Sequence, residues 1–561
     1  LQRCLLEAPY DVDVRIRLAR AYKRLGYPDL AVGETYKALL LIDEVLEEGG
    51  EYHEEALEAA CSSIKSLIKN GISPDSGYVN DHKHDLSVTD EDVVIWARKY
   101  WSRASYPLLV ECLMLCGCLK SASTYSSMAL KSFPDDEKIL VLRDKLALEV
   151  SSYLRSKDID ADGFGKEDYP DRGLVRRELY PWNDHEPDRY SSTSIDFLNH
   201  EMTKVAPKLE VLAVKLPVLS IPKTSLIGEQ YSDASTEFDQ QLGIFAKEDI
   251  SPGEIILNEK SMVTGITRLH DFFCDACSIK LPKITTTALD LDENSSPEQS
   301  ICCEECDDVF FCSQECHDLA QESYHPAVCG AVVDIISKTV PATEAADFLY
   351  SLLLLRVLSM AETQDIHPLE VKEIKYIWGD YHGLPLDRLY QTGKDEEPCG
   401  SFGGIPKTLP FSFEMNIQTP LHLLEKMDVN IFTQSPRYDP WVFNTLYAKF
   451  RGTASARQGL DGKPETGAVH PMWCLANHSC DPNVAWEWEG SIKFWTKEKR
   501  VAWKGKEART VTGIKKGEEL LSHYCDIRLP VKERREWAAG ALGGDCRCER
   551  CVWEAGERHD G

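Results

Sequence analysis

The chain has 561 residues, 43% of them apolar, and its formal net charge is −29. This length exceeds what one hydrophobic core usually supports, so we expect two or three packed domains. The negative charge repels a phosphate backbone, which argues against a nucleic-acid partner and favours a basic protein; the alternative is that the charge only keeps the protein soluble.

Two helix pairs are predicted in the first part of the chain. Apolar and small residues recur at helical spacing over 14–42 and the pattern breaks at Gly26-Tyr27-Pro28. A second pair covers 106–134, with its turn at Gly117. Both pairs resemble tetratricopeptide units, whose small residues let paired helices pack closely. The alternative is an ordinary helical domain; in either case we expect packing or partner binding rather than chemistry.

Residues 155–224 are predicted as a linker, because the segment begins dense in Asp, Gly and Pro and lacks sustained periodicity. Strand-like patterns follow at Gly243-Ile244-Phe245-Ala246 and, after a turn, at Ile255-Ile256-Leu257. Helical periodicity is predicted from Ala331 to about Glu373, and short strands over 429–524.

Four pairs of zinc-ligand side chains lie between Cys274 and Cys329, each with two or three residues between its members. Such spacing lets both side chains of a pair reach one tetrahedral ion, so eight ligands predict two structural zinc sites. The alternative is that these are free or buried thiols, and Cys302 competes with Cys303 for one position. The pairs are Cys274 with Cys277, Cys303 with Cys306, Cys312 with Cys316, and His325 with Cys329.

The order and spacing of these pairs resemble a MYND finger, in which the pairs alternate between the two ions. The resemblance implies two ligand sets, Cys274, Cys277, Cys312 and Cys316 in one, and Cys303, Cys306, His325 and Cys329 in the other.

Two later segments, Asn477-His478-Ser479-Cys480-Asp481-Pro482-Asn483 and Gly517 to Asp526, resemble the signature segments of SET-domain methyltransferases. With the Gly243 strand and the finger before them, the order of parts resembles the SMYD family, in which a MYND finger splits the SET domain. The leading helical region is more similar to fungal-type SET proteins with N-terminal repeats.

The resemblance implies a multidomain α+β fold, in which an α-helical, tetratricopeptide-like region precedes a mainly-β SET domain split by a MYND finger and a helical insert. The expected domains are the helical region 1–154, the linker 155–224, the first SET part 225–273, the finger 274–329, the helical insert 330–425, the SET core 426–528 and a post-SET zinc segment 529–561.

The resemblance also implies S-adenosylmethionine as cofactor. The backbone and amide of Asn477 and the backbone of His478 are expected to hold it, with Gly243, Ile244 and Phe245 along its other side, where glycine allows close approach. Tyr524 is expected near the transferring methyl and the substrate nitrogen, and so to serve both cofactor binding and catalysis.

A substrate lysine must lose its proton before attack, since its pKa in water is about 10.4, and an apolar channel favours the neutral amine. Trp441, Phe443 and Tyr447 are candidates to line that channel, with a plain core role as the alternative for each.

A last cluster, Cys546-x-Cys548-x2-Cys551, supplies three further ligands, and the resemblance implies Cys480 as the fourth, making three zinc ions. Two positions depart from the family. Gly544 stands where relatives carry a Phe that covers the adenine, and His523 stands where Ser or Asn is commoner.

Together these features predict a protein-lysine N-methyltransferase that acts on histones or another basic protein. The alternative is a non-catalytic scaffold that binds partners through the helical repeats and the finger. The longest apolar stretch, from Phe348 to Met360, is too short to span a bilayer, so no membrane partner is expected. We expect an intracellular location, either nuclear or cytoplasmic. Because the chain begins with Leu1, we expect its natural start to lie upstream, and a targeting signal there stays open.

Overall fold

The computed structural model describes residues 1–70, 88–160, 163–217, 238–267, 272–282, 300–333, 345–377, 407–458, 464–503, 513–542 and 545–556. These residues combine helices and sheets, and the chain divides into two units. The first unit comprises Leu1–Pro181 and His382–Thr445, and the second comprises Trp182–Tyr381 and Leu446–Gly561.

The α-helices are numbered in chain order. No helix among the described residues is both long enough and apolar enough to cross a membrane. The helices are α1 (Gln2–Glu7), α2 (Val12–Arg24), α3 (Pro28–Leu46), α4 (His53–Lys69), α5 (Asp90–Trp96), α6 (Ser102–Leu115), α7 (Leu119–Ser132), α8 (Glu137–Lys157), α9 (Ser192–Val205), α10 (Gln314–Ser323), α11 (Ala345–Thr363), α12 (Lys372–Lys375), α13 (Thr419–Lys426), α14 (Pro440–Thr453), α15 (Val531–Leu542) and α16 (Glu549–Glu554).

The strands form small sheets rather than one large one. They are β1 (Arg172–Arg176), β2 (Leu209–Pro217), β3 (Phe238–Ala246), β4 (Ile255–Lys260), β5 (Val263–Ile266), β6 (Ile301–Cys302), β7 (Phe310–Phe311), β8 (Lys407–Ser412), β9 (Ala454–Gln458), β10 (Pro464–Val469), β11 (Asn477–His478), β12 (Val484–Glu489), β13 (Ser491–Thr496) and β14 (Leu521–Ser522).

The first unit contains both predicted helix pairs, α2 with α3 and α6 with α7. Gly26 and Gly117 turn the chain between the paired helices with φ of +77° and +79°, a conformation that favours glycine. The Asp11 side chain accepts a hydrogen bond from the backbone of Val14 and caps α2, and Pro28 begins α3 at the position where proline is best tolerated. The tetratricopeptide resemblance itself remains a prediction.

Residues 155–224, predicted as a linker, contain β1, α9 and β2. Strand β1 pairs antiparallel with β8, and Val175 on β1 is buried. Local periodicity cannot reveal this pairing, because the partner strand lies far along the chain.

A buried charged triad, Arg15, Glu34 and Lys37, lies inside the first unit. Glu34 accepts from Arg15 Nη1 at 3.0 Å and from Lys37 Nζ at 2.9 Å, and all three side chains are 0% exposed. Burial raises the pKa of Glu34, but Lys37 and Arg15 more than offset it, so the pKa lies below its ordinary value. Arg15 Nη2 also donates to Ser435 Oγ at 3.2 Å, which joins the N-terminal helices to the second segment of the unit.

The second unit packs α9 and α11 against its short sheets. Strand β2 pairs with β3, β13 lies between β12 and β4, and β10 lies between β5 and β9, all antiparallel. Leu198 and Met202 of α9 share one buried cluster with Ile244, Leu257 and Phe494. This cluster supports the strands that carry the site residues.

Helix α14 lies within the range for which only short strands were expected, and that expectation was wrong there. Its aromatic residues Trp441, Phe443 and Tyr447 are typical of strands in isolation, but all three are buried. Tertiary burial overrides this weak local preference.

We expect Glu34→Gln to lower the free energy of unfolding by about 3 to 5 kcal/mol, because it leaves two buried cations without their carboxylate. Urea denaturation followed by circular dichroism measures the change.

Asp144→Asn is the matched control. It also removes a carboxylate that pairs with an arginine, but the Arg143 and Asp144 side chains are 53% and 68% exposed. Exposed pairs contribute little, so the control should unfold like the wild type. Equal destabilisation by both variants would contradict the role of the buried triad.

Candidate functional site

The residues predicted to hold a cofactor lie where β3, β11 and β14 meet in the second unit. Strand β11 runs parallel to β14 and pairs Asn477 with Leu521. Just before β14, the backbone N of Leu520 donates to Ile244 O of β3 at 2.8 Å. Segments that are distant in sequence therefore lie side by side.

The side chain of Asn483 fastens this junction. Its Nδ2 donates to Glu519 O at 2.7 Å, and its Oδ1 accepts from the backbone N of Leu521 at 2.7 Å. An amide donates from its nitrogen and accepts at its oxygen, so one asparagine side chain can satisfy both backbone groups. Sequence reasoning gave Asn483 no separate role, although it closes the first signature segment.

Asn477 and Gly243 face each other across the junction. Asn477 Nδ2 donates to Leu242 O at 3.1 Å and to Glu519 Oε1 at 2.7 Å. A Cβ on Gly243 would lie 2.6 Å from Glu519 Oε1 and 3.1 Å from Asn477 Nδ2. The missing side chain therefore leaves room for this hydrogen bond, and any larger residue would displace the carboxylate.

Tyr524 is anchored at both ends. Its hydroxyl donates to Ala476 O at 2.8 Å, and its backbone N donates to His478 Nδ1 at 3.0 Å. Burial raises the pKa of Tyr524 well above its usual range, so the hydroxyl is neutral at physiological pH. The structure thus brings Tyr524, Asn477 and His478 together.

An aromatic cluster that sequence reasoning missed lies beside Tyr524. Trp486 Nε1 donates to His523 Nδ1 at 2.9 Å, and the Trp473 and Trp486 rings meet edge to face with centroids 5.2 Å apart. Burial lowers the pKa of His523 to about 4, so the ring is neutral. The unusual histidine before Tyr524 therefore accepts a part-buried indole N–H. That departure from the family was the available sequence signal.

Glu259, also missed, holds the turn that leads into Asn477. Its carboxylate accepts from the backbone N of Met472 at 3.0 Å and of Trp473 at 2.8 Å. Burial raises the pKa of Glu259 to about 7. A carboxyl group inside an otherwise strand-like run was the available sequence signal.

Three groups of four side chains place their ligand atoms within 4.8 Å of one another. Around a tetrahedral zinc ion with Zn–S bonds of about 2.3 Å, two sulfurs lie about 3.8 Å apart. The distances from Cys277 Sγ to Cys312 Sγ, 3.8 Å, and from Cys303 Sγ to Cys329 Sγ, 3.9 Å, fit that geometry. The groups are Cys274, Cys277, Cys312 and Cys316; Cys303, Cys306, His325 and Cys329; and Cys480, Cys546, Cys548 and Cys551.

The structure brings together the members of each predicted ligand set, and it includes Cys303 rather than Cys302. The cysteines of the described residues form no disulfide, which leaves their thiols available to a metal. A further group, not foreseen, contains His478, Cys480 and Cys525. It shares Cys480 with the third set.

The three candidate channel residues are all buried. Trp441 and Phe443 belong to the first unit, and Tyr447 is buried with its hydroxyl 3.4 Å from Ser351 Oγ. Their burial agrees with a role in core packing, which was the alternative to a role in the lysine channel. Gly544 lies outside the described residues.

Comparison with known proteins matches the SET domain family to residues 241–525, about half of the chain. Over 85 residues, 15% of this chain, it is 31% identical to N-lysine methyltransferase SMYD2 of Homo sapiens, covering 17% of that protein. Over 329 residues, 55% of this chain, it is 22% identical to a SET and MYND domain-containing protein of Dictyostelium discoideum, covering 57% of it. Each match spans less than two thirds of the relative's own length.

Replacing a metal ligand should remove metal, whereas replacing its sequence neighbour should not. We expect Cys303→Ser to lose about one zinc ion per chain, and Cys302→Ser to keep the wild-type content, since only Cys303 lies with Cys306, His325 and Cys329. Elemental analysis of the purified proteins measures this. The assignment fails if Cys302→Ser loses the metal and Cys303→Ser keeps it.

Proposed function

Because the chain belongs to the SET-domain family, we propose that it is an S-adenosylmethionine-dependent protein-lysine N-methyltransferase. The observation that carries the proposal is the meeting of Gly243, Asn477 and Tyr524 at one junction of three strands, inside the segment that matches the family. The SMYD2 relative is an N-lysine methyltransferase by name, which supports lysine as the acceptor.

The residues at the junction suit the proposed cofactor, which supplies a methyl group already activated on a sulfonium. Gly243 keeps the backbone of β3 approachable, and Ile244 and Phe245 continue that wall. Glu519 takes one hydrogen of the Asn477 amide, while Asn477 Oδ1 has no hydrogen-bond donor among the described residues. We assign that oxygen and the backbone of His478 to the polar groups of the cofactor.

Tyr524 is the proposed catalytic residue. A neutral hydroxyl can donate to an oxygen or accept from an amine without adding charge to a site that has to hold a neutral lysine. The partly buried rings of Trp473 and Trp486, the second of which bonds to the neighbouring His523, add apolar surroundings that disfavour the protonated amine. Methyl transfer then requires alignment and exclusion of water rather than a strong base.

We propose zinc for the three four-ligand groups. Cys480 would tie the segment after β11 to Cys546, Cys548 and Cys551, so that the metal fixes the C-terminal segment beside the cofactor residues. The two groups between Cys274 and Cys329 would stabilise a MYND finger that has little apolar core of its own.

A basic protein, such as a histone tail, is the proposed substrate class. The net charge of −29 attracts Lys- and Arg-rich segments over long range. A non-catalytic scaffold that binds partners through its helical pairs and finger is the second candidate, and Gly544, in place of the adenine-covering Phe of relatives, favours it.

We expect Tyr524→Phe to lower the rate of methyl transfer about a hundredfold, since it deletes one preorganised polar group at the reacting atoms. Transfer of labelled methyl from the cofactor to a panel of basic proteins measures it. Tyr376→Phe, whose ring stacks on Phe197 in the same unit, is the control and should retain the rate.

Equal labelling by Tyr524→Phe and wild type would remove the assigned role of Tyr524. Failure of zinc-replete wild type to bind the cofactor at all would favour the scaffold.

Cys480→Ser should lower the zinc content by about one ion and weaken cofactor binding together, because Cys480 lies two residues from His478 and within the third ligand group. Elemental analysis and calorimetric titration of the cofactor measure the two effects. Cys474→Ser, at a thiol outside the ligand groups, should keep the zinc. Full zinc retention by Cys480→Ser would contradict its assignment.

A further inference from the structure

The imidazole of His478 lies between the third cysteine group and Tyr524. Its Nδ1 is 3.0 Å from the backbone N of Tyr524, and its Nε2 is 3.3 Å from Cys480 Sγ. The ring centroids of His478 and Tyr524 are 5.1 Å apart. One side chain therefore touches both a metal-ligand thiol and the proposed catalytic residue.

The protonation pattern of this ring follows from its partners. A backbone N–H can only donate, so Nδ1 of His478 has to be the acceptor for Tyr524. A neutral imidazole carries one proton, which then resides on Nε2. Nε2–H therefore donates to Cys480 Sγ, and a doubly protonated ring would set two donors against each other at Tyr524.

This tautomer decides between the two groups that share Cys480. Nε2 cannot ligate a metal while it carries the proton, so the group of His478, Cys480 and Cys525 is not a metal site in this arrangement. Cys480 is left to the group with Cys546, Cys548 and Cys551, and His478 donates to a ligand of that group.

We propose that His478 is a positioning residue that couples the zinc-bound Cys480 thiolate to the backbone of Tyr524. A thiolate is a stronger hydrogen-bond acceptor than a thiol, because an ionised acceptor strengthens the bond. A zinc-bound Cys480 thiolate would favour the proton on Nε2, while Nδ1 accepts from the backbone N of Tyr524. Without the metal, Nε2–H would lose this stronger acceptor, and the ring would be held less firmly against the backbone of Tyr524.

The inference rests on the proposed function for the zinc and for the role of Tyr524, but its tests need no methyl transfer. A wild-type protein that transfers no methyl group, yet shows the coupling below, would remove the proposed function and keep this inference. A wild-type protein that transfers the methyl group but lacks the coupling would keep the proposed function and remove this inference.

Two substitutions separate the roles of the two ring nitrogens of His478. In His478→Asn, Oδ1 replaces Nδ1 as the acceptor for Tyr524, but no donor reaches Cys480. In His478→Gln, the longer amide can donate to Cys480 while the Nδ1 acceptor is absent. We expect His478→Asn to release one zinc ion to a chelator about tenfold to a hundredfold faster, with Tyr524 unaffected.

For His478→Gln we expect zinc release at the wild-type rate and hydrogen exchange of the Tyr524 amide about threefold to tenfold faster, which matches the loss of one hydrogen bond. Mass spectrometry with fragmentation resolves this amide. The amide of Leu521, which bonds to Asn483 Oδ1 at 2.7 Å, is the internal control and should not change. Identical behaviour of the two variants would overturn the division of roles.

The coupling itself is tested by removing a different ligand. Cys548→Ser weakens the zinc site, leaves both hydrogen-bond partners of His478 in place, and should speed exchange of the Tyr524 amide in the wild-type background. In the His478→Gln background it should add nothing, because the link is already broken. Additive effects, or an unchanged amide in Cys548→Ser, would overturn the proposal.

Cobalt in place of zinc gives a second measurement that keeps every metal ligand, should Cys548→Ser fail to fold. A hydrogen bond stabilises thiolate electrons, so His478→Asn should shift the thiolate-to-cobalt charge-transfer band to lower energy, and His478→Gln should not. An unshifted band in His478→Asn would also overturn the proposal.

Discussion

The parallel contact between β11 and β14 is the constraint on which the rest of the site depends. Each strand is two residues long, too short to hold by its own backbone bonds. The Asn483 side chain closes the junction from one side, and the backbone N of Ser479, which donates to Ser522 O at 2.8 Å, closes it from the other. The bonds from Tyr524 to Ala476 and His478, and from Asn477 to Glu519, presuppose this register.

Burial holds the ionisable groups around this contact in neutral or nearly neutral forms. It raises the pKa of Tyr524 and brings that of Glu259 to about 7, while it lowers those of His478 and His523 to about 4. The strong acidity of the chain is therefore not reproduced at the described junction. A site of neutral groups suits chemistry on a neutral amine, whereas the acidic surface acts at longer range.

The sequence predicted the parts of the structure that depend on local pattern. Ligand spacing located the metal-ligand groups, because a tetrahedral ion dictates how close paired ligands must be, and glycine and proline marked the turns of both helix pairs. Position 243 was assigned to close backbone approach, and a side chain there would meet Glu519 Oε1. The features that could not be predicted depend on long-range contacts. They are the β1–β8 pairing, the hydrogen bond from the backbone N of Trp473 to Glu259, and the hydrogen bond from Trp486 to His523. Helix α14 was missed because burial decided a segment whose local preference favoured strands.

Each unit consists of two separate stretches of chain, and the stretches alternate along the sequence. Arg15, near the start of the chain, donates a hydrogen bond to Ser435 in the later stretch of the same unit. The first unit is therefore incomplete until most of the chain has left the ribosome. No cut at a single peptide bond separates the two units, because every such cut divides at least one of them. Truncation is therefore asymmetric: removing residues 446–561 divides the second unit but leaves both stretches of the first on one fragment, and removing residues 1–181 does the opposite.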